Sequence, residues 1–218
     1  MRISIDAKAN VEVGDFSRKG RGRGAEAVAA LDHEMRTKQR VVPFGILEVA
    51  TAQMDVTMGT SAKTSDFVVD CLEAWWARVG PQHPQVQELV INTDGGPETN
   101  AQRTRFLERM VGFSQSSGVR IRLVYYPPYH SKYNPIERCW AAMEKHWNAA
   151  LLSDIDTVVE WASTMTWKGV RPFVALTTTV YEKGVRVAKA AMKAVERFIT
   201  RNPLLPKWDL LIDATHAG

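Results

Sequence analysis

Cysteine is scarce: Cys71 and Cys139 are the only two in 218 residues. They permit at most one internal bridge, which excludes a disulfide scaffold and suits a reducing compartment. Neither sits in a CxxC pair, so a structural zinc site lacks its ligands. Long apolar runs are also missing. No stretch approaches the roughly 18 uninterrupted apolar residues of a membrane helix. The opening Met1-Arg2-Ile3-Ser4-Ile5-Asp6 has neither the apolar run nor the small-residue cleavage site of a signal peptide. A soluble cytoplasmic protein with no membrane partner is therefore expected. No segment matches the Walker phosphate loop, and no nucleophile elbow surrounds Ser131. Repeats, low-complexity tracts and linkers are absent. Charge of one sign is not in great excess either: 28 Lys and Arg face 24 Asp and Glu, a net charge of +4. The isoelectric point near 9.1 leans towards polyanionic partners without requiring them.

What is present is an ordinary globular balance, 45% hydrophobic and 24% charged, enough for one sizeable core. Alternation at Ile3, Ile5 and Ala7, then Val11 and Val13, predicts an opening strand or strand pair. Residues 41–58 predict two more strands turning near Thr51. From Asp66 the spacing of Phe67, Val68, Cys71, Leu72, Trp75, Trp76 and Val79 fits the helical period of about 3.6, ending at Gly80-Pro81. A short strand at Leu89-Val90-Ile91 runs into Asn92-Thr93-Asp94-Gly95-Gly96. A helix follows over about 101–114, then a strand over 119–126 stopped by Pro127-Pro128. Asn134 caps the next helix, with Pro135 at its first position and Ile136, Trp140, Met143 and Trp147 as its buried stripe. Helical patterns recur near 154–165 and 186–200. A meander followed by crossovers predicts an α/β fold: a mixed five-stranded sheet with helices on both faces. In such a sheet, residues just beyond the carboxyl ends of central strands share one crevice, and Asp94 belongs there.

Three acids stand on three of these elements. Asp6 lies in the first strand, Asp94 just after a strand, and Glu137 in the first turn of a helix. Each has an ordinary alternative. Asp6 shares a strand face with Arg2 and Ser4 and could point to solvent. Asp94-Gly95-Gly96-Pro97 could be a plain turn. Glu137 follows Asn134 at capping-box spacing, and an acid there suits the helix dipole. Taken together they make a set of hard oxygen donors. Two Mg²⁺ ions held roughly 3.5–4 Å apart by such donors can activate an attacking oxygen and stabilise a leaving one.

The segment Pro127-Pro128-Tyr129-His130-Ser131-Lys132-Tyr133-Asn134-Pro135-Ile136-Glu137 resembles the final-acid motif of DDE transposases, where His-Ser leads to Asn-Pro-Ile-Glu. Ile91 to Gly96 resembles their second-acid strand, and Ile3-Ser4-Ile5-Asp6 their first. Val13-Gly14-Asp15-Phe16, Trp75-Trp76 and the tract 178–187 are similar to the Rhodopirellula-type insertion-sequence transposases, so the likeness spans nearly the whole chain. The resemblance implies an RNase H-like fold of the retroviral integrase superfamily and DNA strand cleavage and transfer at insertion-sequence ends. It implies Asp6, Asp94 and Glu137 as catalytic metal ligands for two Mg²⁺ or Mn²⁺ ions. It also implies DNA partners, both transposon ends and target, allows a homo-oligomer, and predicts a bacterial protein associated with the nucleoid when acting. The expected organisation is a single catalytic domain over 1–218. The N-terminal DNA-binding region that members ordinarily carry is expected to be absent; cleavage chemistry is expected to survive that absence, and recognition of particular transposon ends is not.

Further DNA contacts are expected from Arg18, Lys19, Arg21 and Arg23, whose interleaved glycines let a loop follow a phosphate backbone. A solvated loop is the alternative. Ahead of Glu137, His130 is a candidate for phosphate contact or proton shuttling and Lys132 for contact with the DNA backbone, with a solvated loop as the alternative for both. His33 beside Asp32 and Glu34 is better read as a solvated segment than as a metal site. Two other functions remain in play: an RNase H-like nuclease that cuts without strand transfer, and a non-catalytic remnant that only binds DNA.

Overall fold

The computed structural model describes residues 1–18, 30, 39–127 and 130–215. Lys19, Arg21 and Arg23 of the glycine-rich loop, and the Asp32-His33-Glu34 segment, lie outside the described residues. The strands and helices follow in the order β1 (Arg2–Ala7), β2 (Val11–Glu12), β3 (Arg40–Glu48), β4 (Met54–Gly59), α1 (Ser65–Val79), β5 (Glu88–Thr93), α2 (Thr104–Ser117), β6 (Arg120–Tyr125), α3 (Pro135–His146), α4 (Ile155–Thr164), β7 (Phe173–Thr177), α5 (Lys189–Glu196), β8 (Ile199–Arg201) and β9 (Asp209–Ile212).

The five strands expected from alternation form the middle of the sheet, in the order β4-β3-β1-β5-β6. β1 pairs antiparallel with β3 and parallel with β5, which in turn runs parallel to β6. The sheet is wider than five strands. β7 adds in parallel to β4, β9 and β8 extend the β6 edge, and β2 pairs with β3, making nine strands among the described residues. The extra strands are short, two to five residues each. Too short to show a period, they owe their conformation to the edges they meet.

Side-chain alternation along β1 divides the core in two. Ile3 and Ile5 are fully buried beneath α1 and α2, with Val195 of α5 in the same cluster. On the other face, Ile136, Cys139, Trp140 and Met143 of α3 and Val158 and Ala162 of α4 pack with Leu47, Met54, Val56 and Met58. Helices therefore cover both faces. Ser4 belongs to this second face and is 0% exposed. The neighbour that Asp6 follows along the strand thus lies under α3, not in solvent.

α1 ends at Val79 with Gly80 as its C-cap, where Gly80-Pro81 predicts the stop, and a separate 3-10 turn follows over Gly80–Gln82. One boundary differs from expectation for a local reason. α2 starts at Thr104, later than the spacing suggests. Thr99 and Asn100 donate to the Gly96 carbonyl, and Asn100 Oδ1 accepts from the Gln102 N–H, so a turn occupies the residues ahead of it. No helix among the described residues is long and apolar enough to cross a membrane.

Candidate active site

The parallel pairing of β1 with β5 sets the site's geometry. Ser4 lies opposite Asn92, so Asp6 and Asp94 stand two residues further along neighbouring strands, on the same face. At Asp94 the chain turns: the Gly96 N–H donates to Asp94 Oδ1 at 3.2 Å, and Gly95 takes a φ of +73°. The plain-turn alternative is therefore realised as local structure, and it holds the carboxylate at the strand's end. A cleft of about 120 Å³ lies beside Asp6 and Asp94, with Lys63, Thr93, Glu98 and Thr99 in its wall. Glu137 is not among its lining residues; it stands in the first turn of α3, the helix that packs on the sheet face of Ser4 and whose Trp140 reaches Asp6.

α3 is fastened to β1 by buried polar contacts. Ser4 Oγ donates to Asn134 Oδ1, and Asn134 Nδ2 donates to the Ile5 carbonyl at 3.0 Å. The Ile136 N–H donates to Ser4 Oγ at 3.1 Å. Asn134 occupies the N-cap position as expected, but its side chain caps nothing. A hydroxyl from another element supplies the cap instead. The capping-box explanation of Glu137 loses its first half, because the Asn134 side chain is spent on β1.

Electrostatics tie the three acids together. Burial, then the charges of Asp94 and Glu137, push the Asp6 carboxyl up from 3.8 to about 6, against opposing hydrogen bonds from Trp140 and the Ala7 N–H. Burial, then the charge of Asp94, raise Glu137, while Lys8 pulls it down. Each acid is thus within Coulomb reach of the other two. They are not gathered at ligand distance: among the described residues, no three His, Cys, Asp or Glu side chains form a group that could hold a metal ion as they stand. Charge interaction reaches further than coordination, and the two observations agree on neighbouring carboxylates whose side chains have not converged. Hard oxygen donors that repel one another fit a divalent cation, which would remove the repulsion.

Comparison with known proteins adds to this geometry. The family described as the Rhodopirellula transposase DDE domain matches residues 1–214. The chain belongs to that family. Its fold is similar to that of the Mos1 transposase paired-end complex with the left transposon end, at a TM-score of 0.52 and 10% identity over 73% of this chain and 46% of that one. The Mos1 mariner paired-end complex with Mn gives the same score and coverage at 11% identity. The architecture is RNase H-like, and the chain spans less than half the length of these Mos1 chains. No curated protein matches the sequence.

Among the other expected site residues of this family member, Arg18 is engaged within the fold. Its guanidinium lies 5.6 Å from the Trp147 ring centroid, donates to the Glu12 carbonyl at 3.4 Å, and stands 3.8 Å from Glu144. His130 and Lys132 are exposed ahead of α3; the His130 ring stacks on Tyr133 at 5.7 Å, and Lys132 Nζ lies 5.3 Å from the same ring.

Three contributors escape a reading of the sequence. Trp140, assigned to the core, is only 4% exposed, yet its Nε1–H donates to Asp6 Oδ2 at 2.9 Å. Gly45, opposite Asp6 on β3, makes room for it: a Cβ there would stand 2.7 Å from Trp140 Cη2 and 2.6 Å from Ile136 Cδ1. Lys8, ion-paired to Glu144, is the cation acting on Glu137. One signal was available, since Glu137 and Trp140 are three residues apart and so share a helix face.

Proposed function

We propose that this chain acts as one catalytic domain over 1–218 that cleaves DNA at transposon ends and joins the freed 3′ end to target DNA, with Asp6, Asp94 and Glu137 as its acids. The observation that carries this is positional: Asp6 and Asp94 follow the Ser4–Asn92 pair on adjoining parallel strands, and Glu137 stands in the first turn of a helix fastened to β1 through Ser4 and Asn134. The acids are close enough that the charge of Asp94 raises the pKa of both Asp6 and Glu137. Family membership and the Mos1 likeness support the DNA substrate and a divalent ion, Mg²⁺ or Mn²⁺. With two such ions bound, the site gains an activated oxygen nucleophile and a counter-charge for the leaving oxygen. The chain's own task is to hold the carboxylates at fixed offsets. The Ser4–Asn134 contacts fix α3 on β1, the Trp140 N–H orients Asp6, and the Asp94 turn points the third acid into the same crevice.

The test supplies a pre-cut transposon end and a target duplex with Mn²⁺. Joined products are expected from the wild type and neither nicks nor joints from Asp94→Asn or Glu137→Gln, with both variants folded by circular dichroism. Nicks without joining would make this a nuclease. Unchanged behaviour in both variants would reduce it to a DNA-binding remnant and remove the catalytic assignment.

A further inference from the structure

Beside the cleft lies a larger groove of about 530 Å³, and the two share Lys63, Pro97 and Glu98. It opens along the same edge of the sheet, where β4, β5 and β7 end and β3 begins, so it continues the crevice that holds Asp6 and Asp94. Its charges divide unequally. Asp66 is neutralised by Arg105 and Arg109 at 2.7 and 2.8 Å, and Glu98 faces Lys63 at 3.6 Å. Arg40, Arg103 and Lys183 are exposed in the lining and make no ion pair or side-chain hydrogen bond among the described residues, whereas Glu182 is the one acid left in the same condition. Three uncompensated cations, from the start of β3, the residue before α2 and the segment after β7, line a groove that adjoins the cleft beside Asp6 and Asp94. Cations drawn from separate parts of the chain suit an extended polyanion better than a compact anion.

We infer that this groove carries the phosphodiester backbone of the DNA strand leading away from the carboxylates, with Arg40, Arg103 and Lys183 as its phosphate contacts. The inference rests on the function proposed above, and the experiment separates the two. Binding of a fluorescein-labelled single-stranded DNA oligonucleotide is followed by anisotropy in EDTA over a KCl series, with Mn²⁺-dependent cleavage measured in parallel. For single strands each phosphate contact contributes about 0.7 to the slope of log K against log salt. Arg40→Ala/Arg103→Ala/Lys183→Ala is expected to lower that slope by about 2, and the Gln triple variant to do the same. Arg120→Ala/Arg122→Ala, on β6 with its arginines paired to Glu88 and Asp209, is expected to leave it unchanged. A triple variant with the wild-type slope, or an equal fall in the β6 control, overturns the groove even if the wild type cleaves in an Asp94-dependent way. A wild type that neither binds nor cleaves DNA overturns the proposed function as well.

Discussion

A buried indole N–H usually finds an acceptor, and at Trp140 that acceptor is the Asp6 carboxylate, 2.9 Å away. Trp75 sits in an equally apolar stripe of α1, and its Nε1 meets no acceptor among the described residues. Hydrophobic spacing assigns both tryptophans to the core and cannot tell them apart, because the difference lies in which strand each ring meets. The same holds for Gly45: nothing local marks it, and its lack of a Cβ matters only once Asp6 and Trp140 are known to stand opposite. The acids themselves were legible as residue types and as a motif. Their orienting partners were not. Trp140→Phe keeps the ring and deletes the donor, so it is expected to weaken Mn²⁺ binding about 10- to 100-fold, as removal of an orienting hydrogen bond does elsewhere. Melting should change little, since the Phe ring still fills most of the space. Mn²⁺ titration followed by electron paramagnetic resonance reads the affinity. A variant that melts early yet binds Mn²⁺ as the wild type does would reduce Trp140 to packing.

At the scale of elements, the joint between α3 and β1 was half legible. Asn134 and Pro135 start the helix where expected, but the Asn134 side chain serves β1 instead of its own helix. A capping motif and a tertiary clip use the same residue type at the same position, so sequence leaves the choice open. The five central strands and α1 were readable because their apolar residues repeat over enough positions. β7, β8 and β9 were missed because three to five residues show no period; β7 and β9 also meet partners distant in sequence, and β8 pairs only with β9. Removing the clip has a definite consequence. Asn134→Ala leaves the Ile5 carbonyl and the Ser4 hydroxyl short of partners in a fully buried place, at about 1–3 kcal/mol for each group left unsatisfied. Because Ser4 Oγ keeps the Ile136 N–H as a partner, the total lies at the low end, about 2–3 kcal/mol, or roughly 4–12 °C in Tm for a chain of this size. Ser4→Ala should cost a similar amount, and the double variant clearly less than the two single losses combined, because both act on one network. Thermal melts of the three variants check this. Strict additivity would mean that the two side chains do not depend on each other.

For the molecule as a whole, two buried carboxylates act on stability in the same direction. Burial, moderated by Arg78, pushes Asp55 up from 3.8 to about 6, the same value Asp6 reaches through burial and its acidic neighbours. In both cases the folded protein holds a proton that the unfolded chain releases. Stability is therefore fully present below about pH 4 as far as these two groups are concerned, and it is lost as pH rises through about 6. At about 1.4 kcal/mol per pH unit, each contributes at most about 3 kcal/mol. Asp66 and Asp209, held low chiefly by hydrogen bonds from arginine against the opposing cost of burial, act the other way and lose their contribution as pH falls. The metal-free protein should accordingly melt highest near pH 4–5 and several degrees lower at pH 7.5. Mn²⁺ distinguishes the two raised carboxylates, since Asp55 faces Arg78 from β4, beside β7, and takes no part in the proposed site. At pH 7.5 the ion should restore much of the loss in the wild type and in Asp55→Asn, by binding only the folded state. It should restore little in Asp6→Asn, whose metal-free melting temperature is already higher. Calorimetry across pH 4–8 with and without Mn²⁺ makes the measurement. A flat profile, or equal Mn²⁺ stabilisation of Asp6→Asn and wild type, would dissociate the buried charge on β1 from the metal it is proposed to hold.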